Sequence, residues 1–127
     1  METSRTKIGP AEKIARLKEG YEAFNKRDFN RTAERYSKDI VWHFVAGPVR
    51  GRDAVIAYAK DQAARLDATL EPHDVIANDE HLVALLTYTV KGKPYKLIHV
   101  AHTNDEGNIT EAWSFSGADL ASAIQQR

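Results

Sequence analysis

The 127-residue sequence predicts an α+β fold, with helices packed on one face of a curved sheet. Three observations predict it. Apolar residues recur at helical spacing only before Leu66; beyond it the period shortens to that of strands. Turn chemistry at Asn78-Asp79, Gly92-Lys93-Pro94 and Asp105-Glu106-Gly107 then cuts the second half into four segments. Helices first and strands last is the pattern of an α+β domain.

Residues 1–9 are polar and close on Gly9-Pro10, which reads as a flexible tail with Pro10 in the first helical turn. Ile14, Leu17, Tyr21 and Phe24 lie on one face of the helix that follows. A short second helix is expected from Phe29 to Tyr36, entered through Lys26-Arg27-Asp28. Ile40–Val45 is β-branched and aromatic and suits a strand, turned by Ala46-Gly47-Pro48. Asp53 favours the N-terminus of a third helix, whose apolar positions are Val55, Ile56, Tyr58, Ala59, Ala63 and Leu66. Strands are expected over 69–77, 81–91, 95–104 and 109–116, with a last helical turn or two over Asp119–Gln126. A single domain over residues 10–120 accounts for these elements, leaving 121–127 as a C-terminal extension.

Eighteen basic and eighteen acidic side chains cancel, which argues against a nucleic-acid partner. The balance hides an asymmetry of +5 over residues 1–65 against −5 over 66–127. The densest basic stretch, Lys26, Arg27, Arg31, Arg35 and Lys38, reads first as a solvated helix face and second as an anion surface. The sequence contains no cysteine, which removes disulfides, thiolate metal sites and thiol nucleophiles. The five histidines lack ligand spacing, so no metal is expected. Phosphate loop, dinucleotide fingerprint and serine elbow are missing too, and no cofactor is expected. No apolar run approaches the ~18 residues of a membrane span, and the start has no signal-peptide core, so the expected location is cytoplasmic with no membrane contact.

Asp39-Ile-Val-Trp42-His43, Gly51-Arg52-Asp53-Ala54-Val55 and Gly107-Asn-Ile109-Thr-Glu111-Ala-Trp113 together resemble the nuclear transport factor 2-like superfamily, in its SnoaL-like, polyketide cyclase-like branch. The resemblance implies a cystatin-like cone: three helices over a curved mixed/antiparallel sheet, a hydrophobic pocket between them, and commonly a homodimer. His81–Val90 is apolar on both alternating sets, which independently asks for a cover on each face of the sheet. Helices supply one, and a second copy docked on the outer sheet face is the natural other.

The last hairpin assigns faces. A three-residue loop with left-handed Gly107 pairs Asn104 with Asn108. In that register Ile98, Val100, His102, Ala112, Ser114 and Ser116 share the pocket face, while His99, Glu111, Trp113 and Phe115 share the other. A one-residue slip would instead turn His99 inward near Trp113, with Glu111 diagonal to it as a His–carboxylate dyad. The resemblance implies that a catalytic aspartate of SnoaL-like cyclases falls on Ser114 and the base of ketosteroid isomerases on Phe44. Neither residue is a base, so those mechanisms do not carry over intact.

The expected catalytic residues are therefore His102 and Ser114, with His99 and Glu111 as the alternative pair. Tyr21, Phe24, Trp42, Phe44, Tyr58, Ile98, Val100 and Ala112 are the expected pocket wall. Two functions remain open: a cofactor-free isomerase, dehydratase or cyclase acting on an apolar carbonyl or hydroxyl compound, and a non-catalytic binding protein for a small apolar ligand.

Overall fold

The computed structural model describes residues 7–125. The elements are α1 (Pro10–Asn25), α2 (Phe29–Ala33), β1 (Tyr36–Phe44), β2 (Gly47–Arg50), α3 (Arg52–Leu66), β3 (Thr69–Ala77), β4 (His81–Val90), β5 (Lys93–Thr103), β6 (Ile109–Ser116) and α4 (Ala118–Gln125). One six-stranded sheet runs β2-β1-β6-β5-β4-β3. The β3–β6 meander and the β1–β2 hairpin are antiparallel, and β1 joins β6 in parallel. The fold is thus α+β with a mixed sheet, as expected.

The helices lie on one sheet face. Leu17, Tyr21 and Phe24 of α1, Val55 and Leu66 of α3, and Leu120 and Ile124 of α4 form one cluster with Ile40, Trp42, Leu86, Leu97 and Ala112 of the sheet. Side-chain hydrogen bonds fix how α1 meets the sheet. The Asn25 amide both donates to the Leu70 carbonyl and accepts from the Leu70 N–H, pairing with β3 as a strand would. Arg27, in the left-handed region, donates to the Ala68 carbonyl. Lys13 is buried, and its ammonium donates to the Asp79 carbonyl at the β3–β4 turn.

The second helix is shorter than its sequence suggests. It stops at Ala33, and Tyr36 begins β1 beside Ile109. The Ile109 N–H bonds the Arg35 carbonyl, and the Tyr36 ring meets Trp42 edge-on at 5.6 Å. Pairing with a strand more than seventy residues away overrides local helical spacing here. Of the expected N-terminal tail, residues 1–6 lie outside the described residues; Ile8 is tied by its N–H to the Asp105 carbonyl. Gln126, expected to end the last helix, also lies outside them.

The β5–β6 loop forms as expected. Gly107 has φ +84°, and the Asn104 N–H bonds the Asn108 carbonyl at 3.0 Å. Thr103 pairs with Ile109, but the next pair is His102 with Glu111, so Thr110 is an inserted bulge residue. Its hydroxyl donates to the His102 carbonyl at 3.3 Å. One extra residue on one strand changes the register by one and so reverses the faces of the partner strand.

Candidate functional site: the cavity between helices and sheet

The bulge decides which histidine is inside. His99 stands opposite Ser114 and is buried, whereas His102 stands opposite Glu111 on the outer face. The expectation that His102, Ile98 and Val100 face the pocket is therefore corrected: the inserted Thr110 turns all three outward. The inward set expected on β6 keeps its face, because Ala112 pairs with inward Trp42 across the β1–β6 ladder. The alternative His99–Glu111 dyad does not form either. The Glu111 carboxylate accepts from His43 Nε2–H at 2.7 Å on the outer face, where His43 stacks on Trp113 at 5.2 Å.

Between helices and sheet lies a cavity with about 70 Å³ of room for water-sized molecules. That is several times the ~10–15 Å³ one water needs, and it suits a compact ligand. Tyr21, Phe24, Trp42, Phe44, His99 and Ser114 line it, joined by Gly20, Arg35, Tyr36, Gln62 and Ile124. Two expected wall residues stand behind it. Tyr58 stacks at 4.1 Å on Phe44, which itself stacks on Trp42, and Ala112 is fully buried under the sheet's inner layer.

The polar groups of the cavity are few and directional. The Tyr21 hydroxyl lies 2.9 Å from His99 Nδ1. Burial raises the Tyr21 pKa, so it keeps its proton, and burial lowers that of His99 to about 3, so the imidazole is neutral. A buried Tyr21 O–H has no other acceptor among the described residues, so it donates to Nδ1 and leaves the proton on Nε2. Nε2 has no hydrogen-bond partner among the described residues, and His99 lines the cavity. Trp42 Nε1–H donates to Ser114 Oγ at 2.9 Å, leaving the Ser114 hydroxyl hydrogen free for another acceptor. Next to α4, Tyr88 donates to Gln62 Oε1 at 2.7 Å and Gln62 Nε2 donates to the Tyr58 hydroxyl at 2.9 Å.

No carboxylate lines the cavity among the described residues. Nor does any group of three or more His, Asp or Glu there have the arrangement to hold a metal ion. Arg35, Tyr36 and Gln62 are wall residues beyond the expected set. Helical spacing up to Tyr36 hides the first two, while Gln62 stands one turn from both Tyr58 and Leu66 on α3.

Residues 17–112 match the SnoaL-like domain. The chain belongs to the SnoaL-like family. Solved structures agree on the fold. An NTF2-like protein of unknown function from Burkholderia pseudomallei is 22% identical with a TM-score of 0.76, the match covering 90% of this chain and 98% of that one. An LEH-like epoxide hydrolase from M. tuberculosis is 16% identical with a TM-score of 0.76, covering 91% and 90%. A computationally designed 17-OHP binder is 13% identical with a TM-score of 0.72, covering 84% and 92%. No curated protein matches the sequence. Among the described residues of this SnoaL-like chain, no helix is long and apolar enough to cross a membrane.

Proposed function

We propose that this SnoaL-like protein binds a compact, mostly apolar small molecule in its cone, and that the cavity serves recognition rather than proton transfer. One observation carries the reading: among the described residues the only imidazole or carboxylate on the wall is His99, and burial keeps it neutral and weakly basic. Besides the Arg35 guanidinium, the polar groups of the wall include neutral donors able to orient a ligand oxygen, with the Ser114 hydroxyl and His99 Nε2–H on neighbouring strands. Trp42, Phe44 and Phe24 supply the apolar wall that repays ligand desolvation.

The test is a panel of compact ketones, alcohols and arenes, followed by thermal unfolding and by product analysis. Binders raise Tm and emerge unchanged; a ligand at a hundred times its Kd adds about 2.7 kcal/mol. Conversion of a bound ligand faster than in buffer sinks the recognition reading.

A second reading is a cofactor-free isomerase, dehydratase or cyclase, and it is favoured by Nε2 of the Tyr21–His99 pair, which has no hydrogen-bond partner among the described residues. There the neutral imidazole would polarise a ligand carbonyl as hydrogen-bond donor. Turnover that survives His99→Gln at the wild-type rate removes that reading.

We also propose that two copies pair through the outer sheet face. Ile76, Leu85, Ile98 and Phe115 are exposed there beside half-buried Val83, Val100 and Trp113, an apolar surface that no element among the described residues covers.

A further inference from the structure

We infer that the ligand of the cone carries a carboxylate, or another compact anionic group of like geometry, and that Arg35 receives it. This rests on the reading of the cone as a small-molecule site.

Arg35 is the only formally charged side chain on the cavity wall among the described residues, His99 being neutral. Its side chain is 19% exposed, far more covered than a surface arginine needs to be. The cover comes from α1. A β-carbon at Gly20 would lie 3.1 Å from Arg35 Cγ, so the aliphatic stem runs across the helix at the one position without a side chain. Arg35 thereby lines the cavity, and among the described residues most of the hydrogen-bonding capacity of its guanidinium stays unused. Its one ion-pair partner among the described residues is the adjacent Glu34, through a single long contact of 3.4 Å, and the Glu34 side chain is mainly in solvent. None of the remaining N–H groups is sealed from the surroundings.

A guanidinium offers paired parallel donors that match a carboxylate, and such charge-assisted pairs are the stronger hydrogen bonds. A mostly apolar cavity with no carboxylate on its wall among the described residues strengthens that attraction and disfavours a cationic ligand. The ligand so described is amphipathic: an apolar body against Trp42 and Tyr36, and an acidic group at Arg35.

Isothermal titration with benzoate, benzamide, benzyl alcohol and benzylammonium tests this on the full chain. Benzoate is expected to bind about tenfold or more tighter than benzamide, with benzylammonium weakest. Arg35→Met keeps the stem that packs on Gly20 and should collapse the benzoate-to-benzamide ratio to near one. Arg35→Lys keeps the charge without the fork and should leave an intermediate ratio. Equal affinities for benzoate and benzamide in the native chain overturn the inference while leaving the cone-binding reading intact. Retention of the full preference in Arg35→Met overturns it as well. Failure of all four probes to bind overturns both together.

Discussion

His99 and Ser114 face each other across β5 and β6, both turned toward the helices. Each is held by a cavity aromatic: Tyr21 on the imidazole and Trp42 on the hydroxyl, both at 2.9 Å. Trp42 also meets the His99 ring edge-on at 5.1 Å, so the two hydrogen bonds and the two strands form one packed unit.

That packing makes stability pH-dependent. The His99 pKa falls from 6.5 to about 3 on folding, through burial. Below 6.5 the unfolded chain binds a proton that the folded chain excludes, so stability is full above 6.5 and is lost as pH falls toward 3. Urea denaturation is expected to show a loss of about 2 kcal/mol from this group between pH 7 and pH 5. His99→Gln should flatten that part of the curve, and an equally steep curve in the variant would show that other groups carry it.

Deleting Thr110 removes the bulge residue and lets Thr103–Ile109 and His102–Glu111 follow one another as regular pairs, so His99 keeps its inward face and His102 its outward one. The expected cost is about 1 kcal/mol, from the lost bond of the Thr110 hydroxyl to the His102 carbonyl, read as a lower urea midpoint. A deletion variant that buries His102 in place of His99, seen by histidine NMR, would contradict this account of the register.

Trp42→Phe keeps an aromatic ring between Tyr36 and Phe44 but removes the donor to Ser114. The expected cost is about 1–3 kcal/mol, from the lost hydrogen bond and the space left behind. In the ligand-binding reading, affinity for apolar probes should fall in parallel, measured by titration.

The outer face gives a prediction about assembly. Phe115 is 53% exposed at its centre, near Ile98 at 39%. Phe115→Glu puts a charge on each copy where the two faces would meet. Sedimentation velocity is expected to show a dimer for the native chain and a monomer for the variant. A native monomer at micromolar concentration would refute pairing through this face.

Much of this was legible along the chain. Leu17, Tyr21 and Phe24 announced the buried side of α1 by their spacing, and Gly107 announced its own left-handed turn. The resemblance that sets Phe44 at a pocket position, carried along by strand alternation, gave the inward face of Trp42 and Phe44 that the structure has. Alternation carried forward from the Gly107 turn went wrong at Thr110, because a bulge leaves no compositional mark and shifts everything beyond it by one. That single residue exchanged His102 for His99 at the cavity.

Local sequence was enough for the α+β order, the turns between the last four strands and the apolar faces of α1 and α3, since these depend on neighbours within a few residues. Tertiary structure decided which histidine is enclosed, that Tyr36 leaves helix for strand, and that Arg35 crosses Gly20 to reach the cavity. Each of those depends on contact between residues at least fifteen apart in sequence, where local spacing carries no information.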